Sequence, residues 1–208
     1  MTINAFQWIF DRATDISISR QPNIAQTVTR GNILRSVSTG GATWRFTVTL
    51  PDGIRWSELR PYVEAMDAAG RYTTADIQLS AAGQSYISGY QGDATGMTLK
   101  YLSDSNPTTL TITASTGISS GYYFKAGDFV QLGTSGQVYS VVDDVAYGTT
   151  TVTVNRPVLE TASSSTTYAA VLGQNVKWTV LCSEMPNWTI FGYNQVAWSG
   201  SFVFYEVL

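Results

Sequence analysis

Two pairs of carboxylates are the first residues in this sequence that could do chemistry: Glu184 with Glu206, and the neighbours Asp143 and Asp144. Paired carboxyl groups can cleave a glycosidic bond, one as acid and the other as base or nucleophile, when they face each other across about 5–10 Å. Asp143 and Asp144 fail that test in extended chain, because adjacent strand residues point to opposite faces, and Glu206 lies two residues from the end. The chain contains no histidine, so the commonest general base, the usual partner of a nucleophilic Ser or Cys and the favoured zinc ligand are all missing. Its one cysteine, Cys182, follows the alternating stretch 176–181. It reads as a buried thiol, and no intramolecular disulfide can form. Gly40-Gly41 lacks the Lys and the helix that a phosphate-cradling loop requires. The sequon Asn187-Trp188-Thr189 reads as chance in a chain that starts without a basic segment and an apolar core, and the mature protein is expected to begin at Met1. The sequence therefore reads as a non-enzyme, with no catalytic, cofactor-binding or metal-ligating residue assigned.

Two other residue sets suit binding. Arg30, Arg35 and Arg45 fall in strand-like segments and are candidate contacts between copies of the chain. Tyr122, Tyr123, Tyr139 and Tyr168 are candidates for stacking on a sugar ring or contacting a fibre.

The elements that must position these residues are strands. Of the 208 residues 44% are hydrophobic and only 13% charged, against about a quarter charged in ordinary globular domains. The formal charge of −3 argues against a surface that grips nucleic acid throughout. It is unevenly spread: residues 1–72 carry eight Arg against six carboxylates, net +2, and residues 73–208 carry four cations against nine carboxylates, net −5. Regions of opposite sign suit ordered association between copies.

Apolar–polar alternation predicts half-buried strands over 15–20 and 43–50, a further strand or hairpin pair between them, and a turn at Gly40-Gly41. One helix is expected, with Ser57 as N-cap, Leu59, Val63 and Met66 on its apolar stripe, Pro61 tolerated in the first turn, and Gly70 as the stop. Strands are expected to return over 71–80 and 84–90, joined through Ala81-Ala82-Gly83. From about residue 89 the strands become shorter, at 109–113, 128–132, 137–142, 150–154 and 166–172, as in a small barrel. Long alternating strands resume at 175–181 and 195–207. That order implies residues 1–88 and 174–208 forming one discontinuous β domain, with a barrel of residues 89–173 inserted into one of its loops.

Within the barrel, Gly127 supplies the turn before Phe129, Val130 and Leu132, and Ser135-Gly136 the hairpin turn before Val138-Tyr139-Ser140-Val141. Taken with its setting, the segment FKAGDFVQLG…GQVYSVVDDV…TTVTVNRPVL, between a strand–helix–strand core and the closing VKWTVL…AWSGSFVFYEVL, resembles the distal tail proteins of long-tailed bacteriophages. The resemblance spans essentially the whole chain and rests on order and length rather than on single residues. It implies a mainly β fold, a tail-tube-like β-sandwich or barrel domain with one short helix, carrying an inserted OB-like barrel. It implies a structural role in the virion, six copies forming a ring at the distal end of the tail tube and joining the tube to the baseplate hub or tip. The genome would pass through the central channel without specific binding. The implied partners are the chain itself, the tail tube protein, the hub or tip protein and a fibre or collar protein, with no membrane insertion and no cofactor. A tail-associated carbohydrate- or fibre-binding module, or a tube or terminator subunit, is the alternative.

Overall fold

Among the described residues the fold is built from two α-helices and sixteen strands, the two longest of which carry the alternating stretches at 15–20 and 43–50 and pair as one hairpin. In chain order these are α1 (Ala5–Asp11), β1 (Asp15–Val28), β2 (Leu34–Thr49), β3 (Ile54–Arg55), α2 (Trp56–Ala69), β4 (Ala75–Ile77), β5 (Gly96–Lys100), β6 (Thr109–Thr116), β7 (Tyr122–Phe124), β8 (Phe129–Leu132), β9 (Val138–Ser140), β10 (Val145–Ala146), β11 (Thr151–Thr153), β12 (Tyr168–Leu172), β13 (Trp178–Glu184), β14 (Asn187–Phe191), β15 (Gln195–Ser199) and β16 (Phe202–Glu206). The computed structural model describes residues 4–28, 34–69, 73–80, 84–102 and 105–208. The fold is mainly β. Arg30, the Gly70 stop and the Ala81-Ala82-Gly83 turn lie outside the described residues.

The chain divides into two compact units, residues 1–77 with 179–208, and residues 78–178. The sequence reading set the boundaries at 88/89 and 173/174. Residues 78–88 and 174–178 instead belong to the second unit, for visible reasons. Ser88 Oγ donates to the Leu79 carbonyl at 2.8 Å and Gln78 Nε2 to the Asn175 carbonyl at 3.2 Å. Trp178 packs edge-on against Phe129, 5.3 Å between centroids.

Unit 1 holds a five-stranded sheet in the order β1-β2-β16-β13-β4. Cys182, Phe204, Phe46 and Ile18 line up across it on one face. On that face lies α1, with Phe10 at 5.7 Å from Phe46 and 5.0 Å from Phe204, and Phe6 at 5.2 Å from Phe204. This helix is the correction to the expectation of a single one. Its signal was present: Asn4 accepts from the Gln7 N–H at 3.1 Å as an N-cap, and Phe6, Ile9 and Phe10 follow at helical spacing and are buried.

The expected helix stands as α2, with Leu59, Val63 and Met66 buried as the spacing implies. It begins at Trp56 rather than being capped by Ser57. The Trp56 N–H donates to the Asn194 carbonyl at 2.8 Å, and Asn194 Nδ2 donates to Ser57 Oγ at 3.1 Å, so the β14–β15 hairpin supplies the acceptor a cap would have provided. Pro61 is thus the sixth helical residue, beyond the four positions whose N–H groups have no internal acceptor.

Three strand expectations change. Gly40 lies inside β2 opposite Asn23, flanked by two register shifts, so it accommodates a bulge instead of turning the chain. Residues 84–90 form turns, with the Ile87 N–H on the Gln84 carbonyl at 2.9 Å. The single strand expected over 195–207 is two, broken at Gly200, whose φ of +109° strongly favours glycine. They enter different sheets: β15 pairs with β14 and β3, and β16 with β2 and β13.

In unit 2 the six-stranded sheet runs β11-β6-β5-β12-β8-β9. It curls until its ends meet: Val141 bridges Val154, the Val142 N–H donates to the Thr153 carbonyl at 2.9 Å, and the Asn155 N–H to the Ser140 carbonyl at 3.0 Å. Leu99, Leu110, Phe124, Val130, Tyr139 and Val152 fill the interior. Gly127, φ +97°, makes the expected turn into β8.

Two outcomes follow from this architecture. Phe10→Ala removes the ring that bridges Phe46 and Phe204, and urea denaturation should register a loss of about 3–5 kcal/mol in unit 1. Because Thr179 Oγ1 donates to Asp76 Oδ1 at 2.8 Å, replacing residues 78–178 by a short Gly/Ser linker should leave a soluble protein with a cooperative unfolding transition. A molten product would contradict the independence of unit 1.

Candidate functional site

The surface features suited to function in unit 1 are the free edge and the second face of its five-stranded sheet. The edge is β1, fourteen residues long. On the face opposite α1 the cross-strand rows are Leu181, Tyr205, Arg45, Ser19 and Val203, Thr47, Ser17. Hydroxyls dominate these rows, and the formal charges on them are Arg45 and, opposite Val203, Glu184. The Arg45 guanidinium lies 5.9 Å over the Tyr205 ring, and its Nε is buried without a hydrogen-bond partner. Of Arg35 only the backbone is described, opposite Thr27. Arg30 is outside the described residues, so the three arginines proposed from sequence are not brought together as a set.

The four tyrosines in unit 2 do not form a platform. Tyr139 is fully buried: its hydroxyl donates to Glu160 Oε2, accepts from the Leu159 N–H at 2.9 Å, and its ring lies 5.2 Å from the Arg156 guanidinium. Burial, and then the hydrogen bond to Glu160, push its ionisation well above the ordinary tyrosine range. Tyr123 is also buried, its ring 5.6 Å from Tyr147 and its carbonyl receiving the Tyr90 hydroxyl. Burial raises Tyr90 itself to about 12. Tyr168 is half-buried against the core from β12. Tyr122 alone presents a ring outward, 38% exposed, and Lys125 Nζ sits 3.1 Å from its centroid. These residues are mainly interior packing, because β7 to β9 are too short to hold tyrosines on one outer face.

Two aspartates fasten the turn around Gly127. Asp128 is buried, with Oδ1 accepting from the Gln91 N–H at 2.9 Å and Oδ2 from the Lys125 N–H at 2.8 Å. Asp144 accepts from the Ala126 N–H at 2.9 Å and pairs with Lys125 Nζ at 2.8 Å. Burial raises the Asp128 carboxyl above its ordinary value, while the hydrogen bond from Lys125 lowers that of exposed Asp144.

The carboxylates considered first do not form an acid/base pair. Glu206 is buried, and its Oε2 accepts from the Trp44 N–H at 3.3 Å. Glu184 is exposed, opposite Val203, whereas Glu206 is opposite Val180. Asp144 is committed to Lys125 and Ala126. Cys182 is buried and its Sγ donates to the Glu184 carbonyl at 3.3 Å. Among the described residues no cluster of three His, Cys, Asp or Glu could hold a metal, and no helix is long and apolar enough to cross a membrane.

Sequence reasoning missed the tip of the β14–β15 hairpin, where Ile190, Phe191 and the fully exposed Tyr193 face solvent. The Gly192-Tyr193-Asn194 turn between two aromatic, uncharged stretches was the available signal. No protein-family model matches the chain, and a comparison with curated proteins finds no match. The fold and surfaces therefore define the class, a mainly β protein of two units with an open sheet in one and a closed sheet in the other.

The Asp128 site carries a pH test. A raised folded-state carboxyl binds a proton before the unfolded chain does, so between the raised value and about 3.8 stability increases as pH falls. Asp128→Asn should be less stable at pH 7, since its amide must turn an N–H toward a backbone donor, and should lack that component of the acid-side slope. Denaturation at a series of pH values that shows identical slopes for both proteins would contradict the assignment.

Proposed function

We propose that this chain is a structural subunit of a bacteriophage tail, six copies of which close a ring at the distal end of the tail tube and connect it to the baseplate hub or tip. The observation that carries the reading is the open five-stranded sheet of unit 1. It ends in β1, a fourteen-residue strand whose outer edge has no strand partner among the described residues. Single subunits that remain monomeric blunt or cover such edges, and a head-to-tail arrangement around a closed ring would satisfy one edge per copy.

The hydroxyl-rich second face supports the same reading. A channel lined by Ser17, Ser19, Thr47 and Tyr205, with Arg45 and Glu184 of each copy opposite in charge, would be wetted yet would not hold DNA phosphates tightly. Unit 2, whose curled sheet closes on itself, fits an inserted OB-like barrel that offers a surface to a fibre or collar protein. The burial of Tyr139 and Tyr123 argues against sugar stacking as its main task.

Multi-angle light scattering of the purified chain should give a mass near six times 22.6 kDa, and negative-stain images should show rings with a central hole. A folded protein that stays monomeric across a wide concentration range would overturn the proposal.

A further inference from the structure

Unit 1 has a second sheet with an unprotected edge. This three-stranded sheet runs β14-β15-β3, and the outer side of β14 has no strand partner among the described residues. Natural edges are blunted by charge, proline, bulges or shortness. Within Asn187–Phe191 there is no charge, no proline and no register shift, and no charged residue occurs from 185 to 205. The remaining outer strands of the unit are short, two residues in β3 and three in β4, and Asn4 Nδ2 already occupies the Asp76 carbonyl of β4 at 2.8 Å. Residues 15–19 of β1 and 187–191 of β14 are therefore the edges with room for a strand.

Their side-chain patterns fit each other. In β1, Ile16 and Ile18 are half-buried on the α1 face, while Ser17 and Ser19 are exposed on the other. In β14, Trp188 and Ile190 share one face, Trp188 stacked on Trp56 at 4.4 Å and Ile190 left 49% exposed, while Asn187 and Thr189 are exposed on the other. Laid antiparallel with Ser17 opposite Thr189, the two stretches set Ile16 opposite Ile190 and Ile18 opposite Trp188 on one side, and Ser19 opposite Asn187 on the other. Asp15 and Phe191 fall at the end of the ladder. A slip of one residue would set Ile18 against Asn187 or Thr189 and destroy the match.

We propose that neighbouring copies join through this ladder, residues 15–19 of one copy adding antiparallel to the outer edge of β14 in a second copy. The inference rests on the ring reading and names the two surfaces that make the ring. Two different edges give a head-to-tail contact that each copy repeats until the ring closes, whereas either edge paired with its own counterpart leaves the other open. The ladder also prolongs the hydroxyl-rich face of unit 1, because Ser17 is followed by Thr189 and Ser19 by Asn187 of the next copy.

The test uses the full chain. Its one cysteine, Cys182, is buried, so thiols introduced at the surface can be oxidised selectively. Opposed residues in such a ladder have Cβ atoms about 4.5–5.5 Å apart, which a small adjustment brings within disulfide reach. Ser17→Cys/Thr189→Cys should give a series of disulfide-linked oligomers up to the full ring in non-reducing denaturing electrophoresis, Ser19→Cys/Asn187→Cys should do the same, and none of the four single variants should cross-link. Ile190→Lys should raise the concentration for half-assembly at least about tenfold while keeping the native circular dichroism spectrum and melting transition, as a lysine on an edge strand opposes pairing. Cross-linking in a single variant marks an edge paired with its own counterpart and overturns the ladder. Rings in which neither double variant cross-links overturn the ladder but leave the ring standing. A chain that never assembles overturns ladder and ring together.

Discussion

The position of β16 between β2 and β13 governs unit 1. The last strand of the chain supplies the middle of the five-stranded sheet, so without it β1–β2 and β13–β4 would be two unconnected pieces. The same strand brings Phe202 and Phe204 to the core, where Phe204 meets Phe6 and Phe10 from the opposite end of the chain. Burying each such ring contributes about 1.5–3 kcal/mol, and the contact is available only when both chain ends are present. Everything between Ile77 and Thr179 must therefore leave and return, and the neighbouring places of β4 and β13 in the sheet let it do so. The Asp76–Thr179 hydrogen bond ties the two exit points together.

Unit 2 solves a different problem, since most of its strands are two to five residues long and no α-helix lies among its described residues. Short strands have few ladder hydrogen bonds with which to fix their ends. Buried and half-buried polar side chains take over that task. Asp128 gathers the Gln91 and Lys125 amides, Asn155 Oδ1 accepts from the Ser140 N–H at 2.8 Å, and Glu160 accepts from the Gln137 N–H at 2.8 Å as well as from Tyr139. Arg156 is almost wholly buried and donates to the Val138 carbonyl at 2.9 Å, over the Tyr139 ring. The bonds these groups do make offset part of the cost of taking them out of water, and removing one partner leaves the other desolvated.

Where periodicity was long, the sequence could be read directly. The alternations of β1, β2 and β13 and the Leu59–Val63–Met66 stripe each span enough residues to declare a face. Legibility failed where a distant partner made the decision. Trp56 begins α2 because Asn194 offers its carbonyl from far along the chain, and no local pattern contains that fact. The tyrosines failed for a related reason: an aromatic in a short strand has equal claim to inside and outside until its neighbours are known. Tyr139 went inward to meet Glu160 and Arg156, while Tyr122 stayed out beside Lys125. The candidate assembly surface was legible only as an imbalance of charge. The edge that gives this imbalance a place depends on strand order, which pairs residues more than 150 positions apart.

The two units also differ in how they treat their sheet edges, and that difference carries the argument for assembly. Unit 2 joins β9 to β11 through the Val141–Val154 bridge, so its longest sheet leaves little edge to share. Unit 1 leaves β1 open, and the strand is only partly protected. Pro22 lacks an N–H and stands next to the bulges at Asn23, which divides the edge in two. Residues 15–19 lie along the sheet proper, opposite the part of β2 that also pairs with β16, whereas from Arg20 onward β1 pairs with β2 alone. An edge interrupted in that way cannot extend into a continuous intermolecular sheet over its full length, which guards against indefinite stacking. It has room for a short strand beside residues 15–19.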